Sequence, residues 1–339
     1  MVEGSSVQKN KIIWLSILQG WSMLLVVIGH ISLSNEFQDP QYPISSFIEK
    51  VIYSFHMPLF MFISGMLLYH TKISKEQKYR SVIVDKIKRL GVPLLFFTFL
   101  TLLLKMAFNP LMKRPVEFSL MDFLNYFLYP GTNPLGEMWF IVTLLIIFLF
   151  YPFFVWSLRN NRRIVCTILF LLVLNISFPK DIHLLCLSSV AYMLFFFYLG
   201  MLIYLKRWIS LLSSFRIFLV LLLVFAFTNV FTTVPFVSVL VGIAFSISLC
   251  FNIDKVFPSS FCSFRDYTFQ IFLMGIFFQI AVRLFYIHLN MAILYFPLYL
   301  FSIFSALYFP VLISKIVLKS NNSFLCMCLG LRYRKIFNG

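Results

Sequence analysis

Long apolar stretches alternate with short polar breaks along the whole chain. The apolar windows fall at about 12–33, 51–70, 91–108, 138–158, 164–178, 186–205, 217–234, 235–252, 267–288 and 292–317. Within each window the apolar run is continuous, which suits a helix in lipid; a barrel strand would alternate apolar and polar positions. A helical span takes ~20 residues. The pattern therefore predicts an all-α, polytopic integral membrane protein with about ten transmembrane helices. The narrowest division lies at Thr233 to Pro235, between the seventh and eighth windows. Residues 71–90 place Ile73, Val82, Ile83, Ile87 and Leu90 among seven cations, which predicts an amphipathic helix lying at the membrane surface. Residues 109–136 carry Pro110, Pro115, Pro130 and Pro134 around Phe118, Phe123, Tyr126 and Phe127, and predict an interfacial lid. No linker or repeat divides the sequence, so residues 1–339 read as one domain with a basic tail over 318–339.

Composition narrows the class further. Of 339 residues, 61% are hydrophobic and 12% charged, against about 25% charged in soluble domains. A soluble enzyme is excluded. The 28 Lys and Arg outnumber the 12 Asp and Glu, giving +16. In a lipid-embedded chain that excess reads as cytoplasmic loop charge and not as a nucleic-acid footprint. Sorted by loop, 22 cations fall on one side and four (Lys50, Lys113, Arg114, Lys180) on the other, with Lys105 and Arg283 inside predicted helices. The division puts both termini in the cytoplasm. The run Ile12–Ile28 after Lys9 and Lys11 lacks a small-residue cleavage site and is read as the first helix, not a signal peptide. The six cysteines stand singly apart from Cys326 and Cys328, a spacing that supports neither a disulfide frame nor a zinc site. No metal is expected.

Ionisable groups inside a bilayer are costly, and each is a candidate for function. His30 lies eleven residues after Gln19. Eleven steps of ~100° close three turns plus about 20°, so both side chains share a helix face about 16 Å apart. With the first helix leaving the cytoplasm and the second returning, His30 and His56 fall near the outer ends. Lys105, Glu137 and Arg283 belong to the same outer half, and five polar groups at one depth imply a hydrated cavity. Each also has a purely structural reading. A histidine near an interface often only holds hydrogen bonds, Lys105 and Arg283 can snorkel outward, and Glu137 can serve the dipole of a helix N-terminus.

Five strings occur in order: LLVVIGH, FHMPLFMFISGMLL, KIKRLGVP, EMWFIVTLL and RDYTFQIFLMGIFF. Together they closely resemble the membrane-bound acyltransferase family 3, over nearly the whole chain. The resemblance implies a ten-helix O-acyltransferase, chiefly an O-acetyltransferase of capsule, exopolysaccharide or lipopolysaccharide sugars in the bacterial inner membrane. Acetyl-CoA is the implied donor and a glycan or lipid-linked sugar the implied acceptor, with no nucleic acid. The family signature is a basic residue, ten residues, then an essential His. His30 matches the His, while Gln19 stands where relatives have Arg or Lys and brings a hydrogen bond without a charge. Lys86 and Arg89 match the spacing of a basic pair linked with the donor, and can hold phosphates or simply anchor the loop. Relatives often carry a His where this chain has Gly275.

On this resemblance His30 is the general base, with Glu137 to orient an imidazole and Arg283 or Lys105 to stabilise the oxyanion. Gln19, Lys86 and Arg89 face the donor. His56, Ser64 and Trp139 face the acceptor. Imidazole suits a base because it exchanges protons near neutral pH, and a transient acyl-histidine fits the same residues. Two other readings stay open: a transporter or flippase for a glycan or lipid-linked sugar, which also needs a polar cavity, and a catalytically impaired relative, which Gln19 raises.

Overall fold

The computed structural model describes residues 12–31, 33, 42–108, 119–231, 235–289 and 291–332, and no strand occurs among them. Every apolar window contains helix. In chain order these are α1 (Ile13–Gly29), α2 (Pro43–Tyr53), α3 (His56–Thr71), α4 (Tyr79–Lys86), α5 (Val92–Ala107), α6 (Leu120–Leu128), α7 (Met138–Leu149), α8 (Tyr151–Ser157), α9 (Asn161–Ser177), α10 (Leu187–Leu205), α11 (Phe215–Phe231), α12 (Pro235–Val256), α13 (Thr268–Leu289), α14 (Tyr295–Lys319) and α15 (Ser323–Cys328).

Six helical segments are long and apolar enough to cross a membrane, and α7 with α8 makes a seventh if the pair, bent by 54°, is one span. The chain is a multi-pass membrane protein. The difference from the predicted ten arises at α1, α9 and α11, each 17 residues long, the lower limit for a span. The α7–α8 bend has a local cause. Pro152 lies in the first turn of α8, where its missing N–H and its ring interrupt the ladder from the preceding turn.

The chain forms two compact units, residues 1–63 with 207–313 and residues 64–206 with 314–339. In the first, α1 packs against α12 and α13. Small residues permit close approaches elsewhere in this unit, to the turn before α13 and to the join of α2 and α3. A Cβ at Gly20 would lie 2.7 Å from the Cβ of Phe261, and one at Gly242 would lie 2.5 Å from the Phe55 ring. Helices in lipid gain little from mutual apolar burial and rely on such close packing and on buried hydrogen bonds. Trp21 Nε1 donates to Ser246 Oγ at 3.2 Å, and Gln279 Nε2 donates to the Val27 carbonyl at 2.7 Å.

In the second unit α9 and α10 form a hairpin and α7 lies on α10. Gly65 is obligatory there, since a Cβ would come within 1.9 Å of the Phe197 carbonyl oxygen. Asn133 fixes the turn before α7, donating to Thr98 Oγ1 at 3.0 Å and accepting from the Leu135 N–H at 2.9 Å. The segment read as a surface helix takes another form: α4 continues through a π-helical turn, Ile87–Gly91, directly into α5. In the lid region α6 presents Leu120, Met121, Leu124 and Leu128 outward, while residues 109–118 lie outside the described ones.

Candidate functional site

His30 ends α1. Its Nδ1 lies 2.9 Å from the Val26 carbonyl, and its backbone N–H donates to the same oxygen at 3.1 Å. A carbonyl can only accept, so Nδ1 is the donor and the lone pair of the neutral ring lies on Nε2, a tautomer that can act as a general base. His56, the first residue of α3, repeats the arrangement: it is buried, its Nδ1 is 2.9 Å from the Ile52 carbonyl, and its Nε2 is buried with no hydrogen-bond partner among the described residues. The two rings meet edge to face with centroids 5.8 Å apart. Tyr53 touches both, at 5.6 Å from His30 and 4.9 Å from His56. The structure thus brings together the two histidines that the sequence placed at one depth. Tyr53 was missed, although its position three residues before His56 offered a signal.

Local packing explains why α1 delivers His30 here. Gly29, the last helical residue, lets α2 approach so closely that a Cβ would lie 2.8 Å from the Ile52 side chain. Just past His30, Ile31 and Leu33 are buried against Val282 of α13. Arg283 follows Val282 and lies one turn beyond Gln279, the residue bonded to Val27. It therefore belongs to the His30 end of α1. Gln19 lies eleven residues back, partly buried, with its carbonyl accepting from Ser22 Oγ at 2.9 Å. At that level the neighbouring cation is Arg265, whose Cβ is 3.1 Å from a Cβ built on Gly20. Its guanidinium donates to the carbonyls of Pro258 and Ser260 at 3.0 and 2.9 Å. In the sequence Arg265 is one of the 22 loop cations on the basic side, because its proximity to α1 is a tertiary fact.

The remaining candidates belong to the second unit. Glu137 occupies the N-cap position of α7 without a side-chain capping bond. Trp139, in the first turn, is half-buried, and its carbonyl accepts from Thr143 Oγ1 at 2.9 Å. Ser64 lies mid-way along α3 and is partly buried. Lys86 ends α4 with its ammonium 4.1 Å from the centroid of the Phe148 ring, and Arg89 follows within the π turn, its Nε buried without a hydrogen-bond partner among the described residues. Asp85 pairs with Lys72 at 2.9 Å. A cavity of about 490 Å³ in this unit is lined by Tyr69, Gln77, Tyr151 and Arg159 among others, and by none of the candidate site residues.

No curated protein and no solved structure matches the sequence. A family profile described as an acyltransferase domain does match, over residues 12–315. That span contains the α1 end with His30, the His56 helix and the Lys86–Arg89 turn, in an all-helical multi-pass frame, and the chain belongs to acyltransferase family 3.

Proposed function

We propose that this membrane acyltransferase moves an acetyl group from acetyl-CoA to a sugar hydroxyl of a surface polysaccharide or its lipid-linked precursor. The proposed setting is the bacterial inner membrane, with ten helices and both termini cytoplasmic. One observation carries the chemistry: the Nδ1 proton of His30 is held by the Val26 carbonyl, which puts the basic lone pair on Nε2. In the proposed step, Nε2 takes the hydroxyl proton as the sugar oxygen bonds to the thioester carbon. The C–S bond then breaks, and the thiolate leaves with the proton from the imidazolium. His56 holds the acceptor hydroxyl through its Nε2, with Ser64 and Trp139 as further acceptor positions. Arg283 stabilises the oxyanion of the tetrahedral intermediate. Glu137 is the candidate carboxylate for orienting an imidazole. Lys86 and Arg89 take the donor phosphates through charge-assisted bonds, and Gln19 supplies a neutral hydrogen bond on the donor side.

The test is radiolabelled acetyl-CoA with purified protein, paired with mass spectrometry of surface glycans from cells with and without it. Label should pass to a glycan acceptor, and the O-acetyl groups should disappear from cells lacking the protein. Purified protein that neither transfers nor hydrolyses the label, with unchanged glycans, would refute the reading.

A further inference from the structure

The cavity in the second unit lies where α3 gives way to α4 and α8 to α9. Its volume of about 490 Å³ falls within the range of small-molecule sites. Ile73, Val155, Leu158 and Leu205 line it with aliphatic carbon, and Tyr69, Glu76, Gln77, Tyr151 and Arg159 bring polar groups to the same space. Markers of a membrane surface adjoin it. Trp156, next to Val155, is half-exposed, with the Arg163 guanidinium 4.7 Å from its ring. Tyr79, also half-exposed, stacks on Tyr151 at 6.4 Å. Indole and phenol rings collect at the boundary between hydrocarbon and headgroups, which puts the cavity at headgroup depth.

The polar wall is a closed turn. Glu76 adopts a left-handed φ of 50°, its N–H donates to the Ile73 carbonyl at 2.9 Å, and the Gln77 N–H donates to the Lys72 carbonyl at 3.2 Å. The left-handed residue in this pattern is usually glycine, because a Cβ crowds the backbone there. Here it is a glutamate. Tyr151, itself buried, donates through its hydroxyl to the Gln77 carbonyl at 2.7 Å and ties the turn to α8. A carboxylate therefore stands at the cavity wall at a position whose backbone would favour having no side chain.

Arg159 supplies the opposite charge. Among the described residues neither its guanidinium nor the Glu76 carboxylate makes an ion pair or a hydrogen bond, so the two charges line one cavity without closing on each other. A purely anionic ligand would meet Glu76, and a simple cation would meet Arg159. A ligand that carries both charges meets neither repulsion. We propose that this cavity binds the zwitterionic headgroup of phosphatidylethanolamine, with the phosphate on Arg159 and the ammonium between the Glu76 carboxylate and the faces of Tyr69 and Tyr151. A guanidinium fork matches phosphate oxygens, and an ammonium group is attracted to both a carboxylate and an aromatic face. The aliphatic wall takes the glycerol and the first methylenes of the acyl chains.

Affinities of the purified full chain in detergent are measured by native mass spectrometry for phosphatidylethanolamine, phosphatidylcholine and phosphatidylglycerol, with coenzyme A as a soluble phosphate ligand. The native chain should bind phosphatidylethanolamine about tenfold more tightly than the other two lipids, the size of one charge-assisted hydrogen bond. Choline has no N–H to donate, and glycerol has no charge. Glu76→Gly removes the carboxylate and suits the left-handed turn, so this variant should melt no lower than the native chain and bind phosphatidylethanolamine and phosphatidylglycerol equally. Glu76→Gln, which keeps the side chain's size, should lose the same preference. Arg159→Gln should weaken both of these lipids by similar factors. Equal affinity of the native chain for the three lipids, or a phosphatidylethanolamine preference that survives in both Glu76 variants, would overturn the proposal. Coenzyme A binding that Arg159→Gln abolishes would overturn it as well, in favour of a nucleotide pocket.

Discussion

Two imidazoles give their Nδ1 protons to the carbonyl four residues earlier, His30 to Val26 and His56 to Ile52. Both rings therefore present Nε2, His56 from a buried position and His30 from a partly buried one, and the proposed roles are base for His30 and acceptor contact for His56. His56→Gln keeps a hydrogen-bonding side chain but changes its reach. Initial rates should show a raised acceptor KM, by about tenfold for one lost hydrogen bond at a buried polar site, with the donor KM unchanged. An unaltered acceptor KM would return His56 to a structural role. Both histidines were legible in the sequence because each is an ionisable group inside an apolar window, near its predicted outer end. Val26, Tyr53 and Arg265 were not. A backbone carbonyl has no signature in residue type, and the approaches of Tyr53 to His30 and of Arg265 to Gly20 depend on how α2 and the turn before α13 pack on α1.

At the scale of elements, all ten apolar windows contain helix, because period and length suffice where every backbone group must bond within its own segment. The joins were harder to read. Residues 71–90 suggested a surface helix followed by a span from about residue 91, whereas α4 runs into α5 through the π turn Ile87–Gly91. A π turn accommodates one residue more than an α-helical turn and often marks a functional site. Nothing in residue type announces it, since Leu90, Gly91 and Val92 are equally compatible with a break. Deleting Lys88 should convert the turn to α-helix, keep the flanking turns in register and draw Arg89 out of the bulge. Protein level in the membrane should remain near normal, while initial-rate kinetics should show a donor KM raised about tenfold through the lost phosphate contact. A donor KM equal to that of the native chain would show that the turn has no part in donor binding.

For the whole molecule, the 22-to-4 division of loop cations makes a topological forecast. Cys166 and Cys262 are the exposed cysteines, so the test begins from a chain with both replaced by Ser. Single cysteines are then introduced within residues 72–80 or 113–122. An impermeant thiol reagent added to intact cells should label the second region and spare the first, and labelling of residues 72–80 from outside would invert the topology. That forecast puts the donor on the basic side and the acceptor on the other, with His30 as the base between the two reactants. The most direct test of this central claim uses sealed vesicles that hold the acceptor glycan inside, with the basic face of the protein and labelled acetyl-CoA outside. The native chain should move label to the enclosed glycan, and His30→Ala, at equal protein level, should do so ~10²–10⁴-fold more slowly, the usual contribution of a general base. Equal transfer by the two proteins would contradict the account.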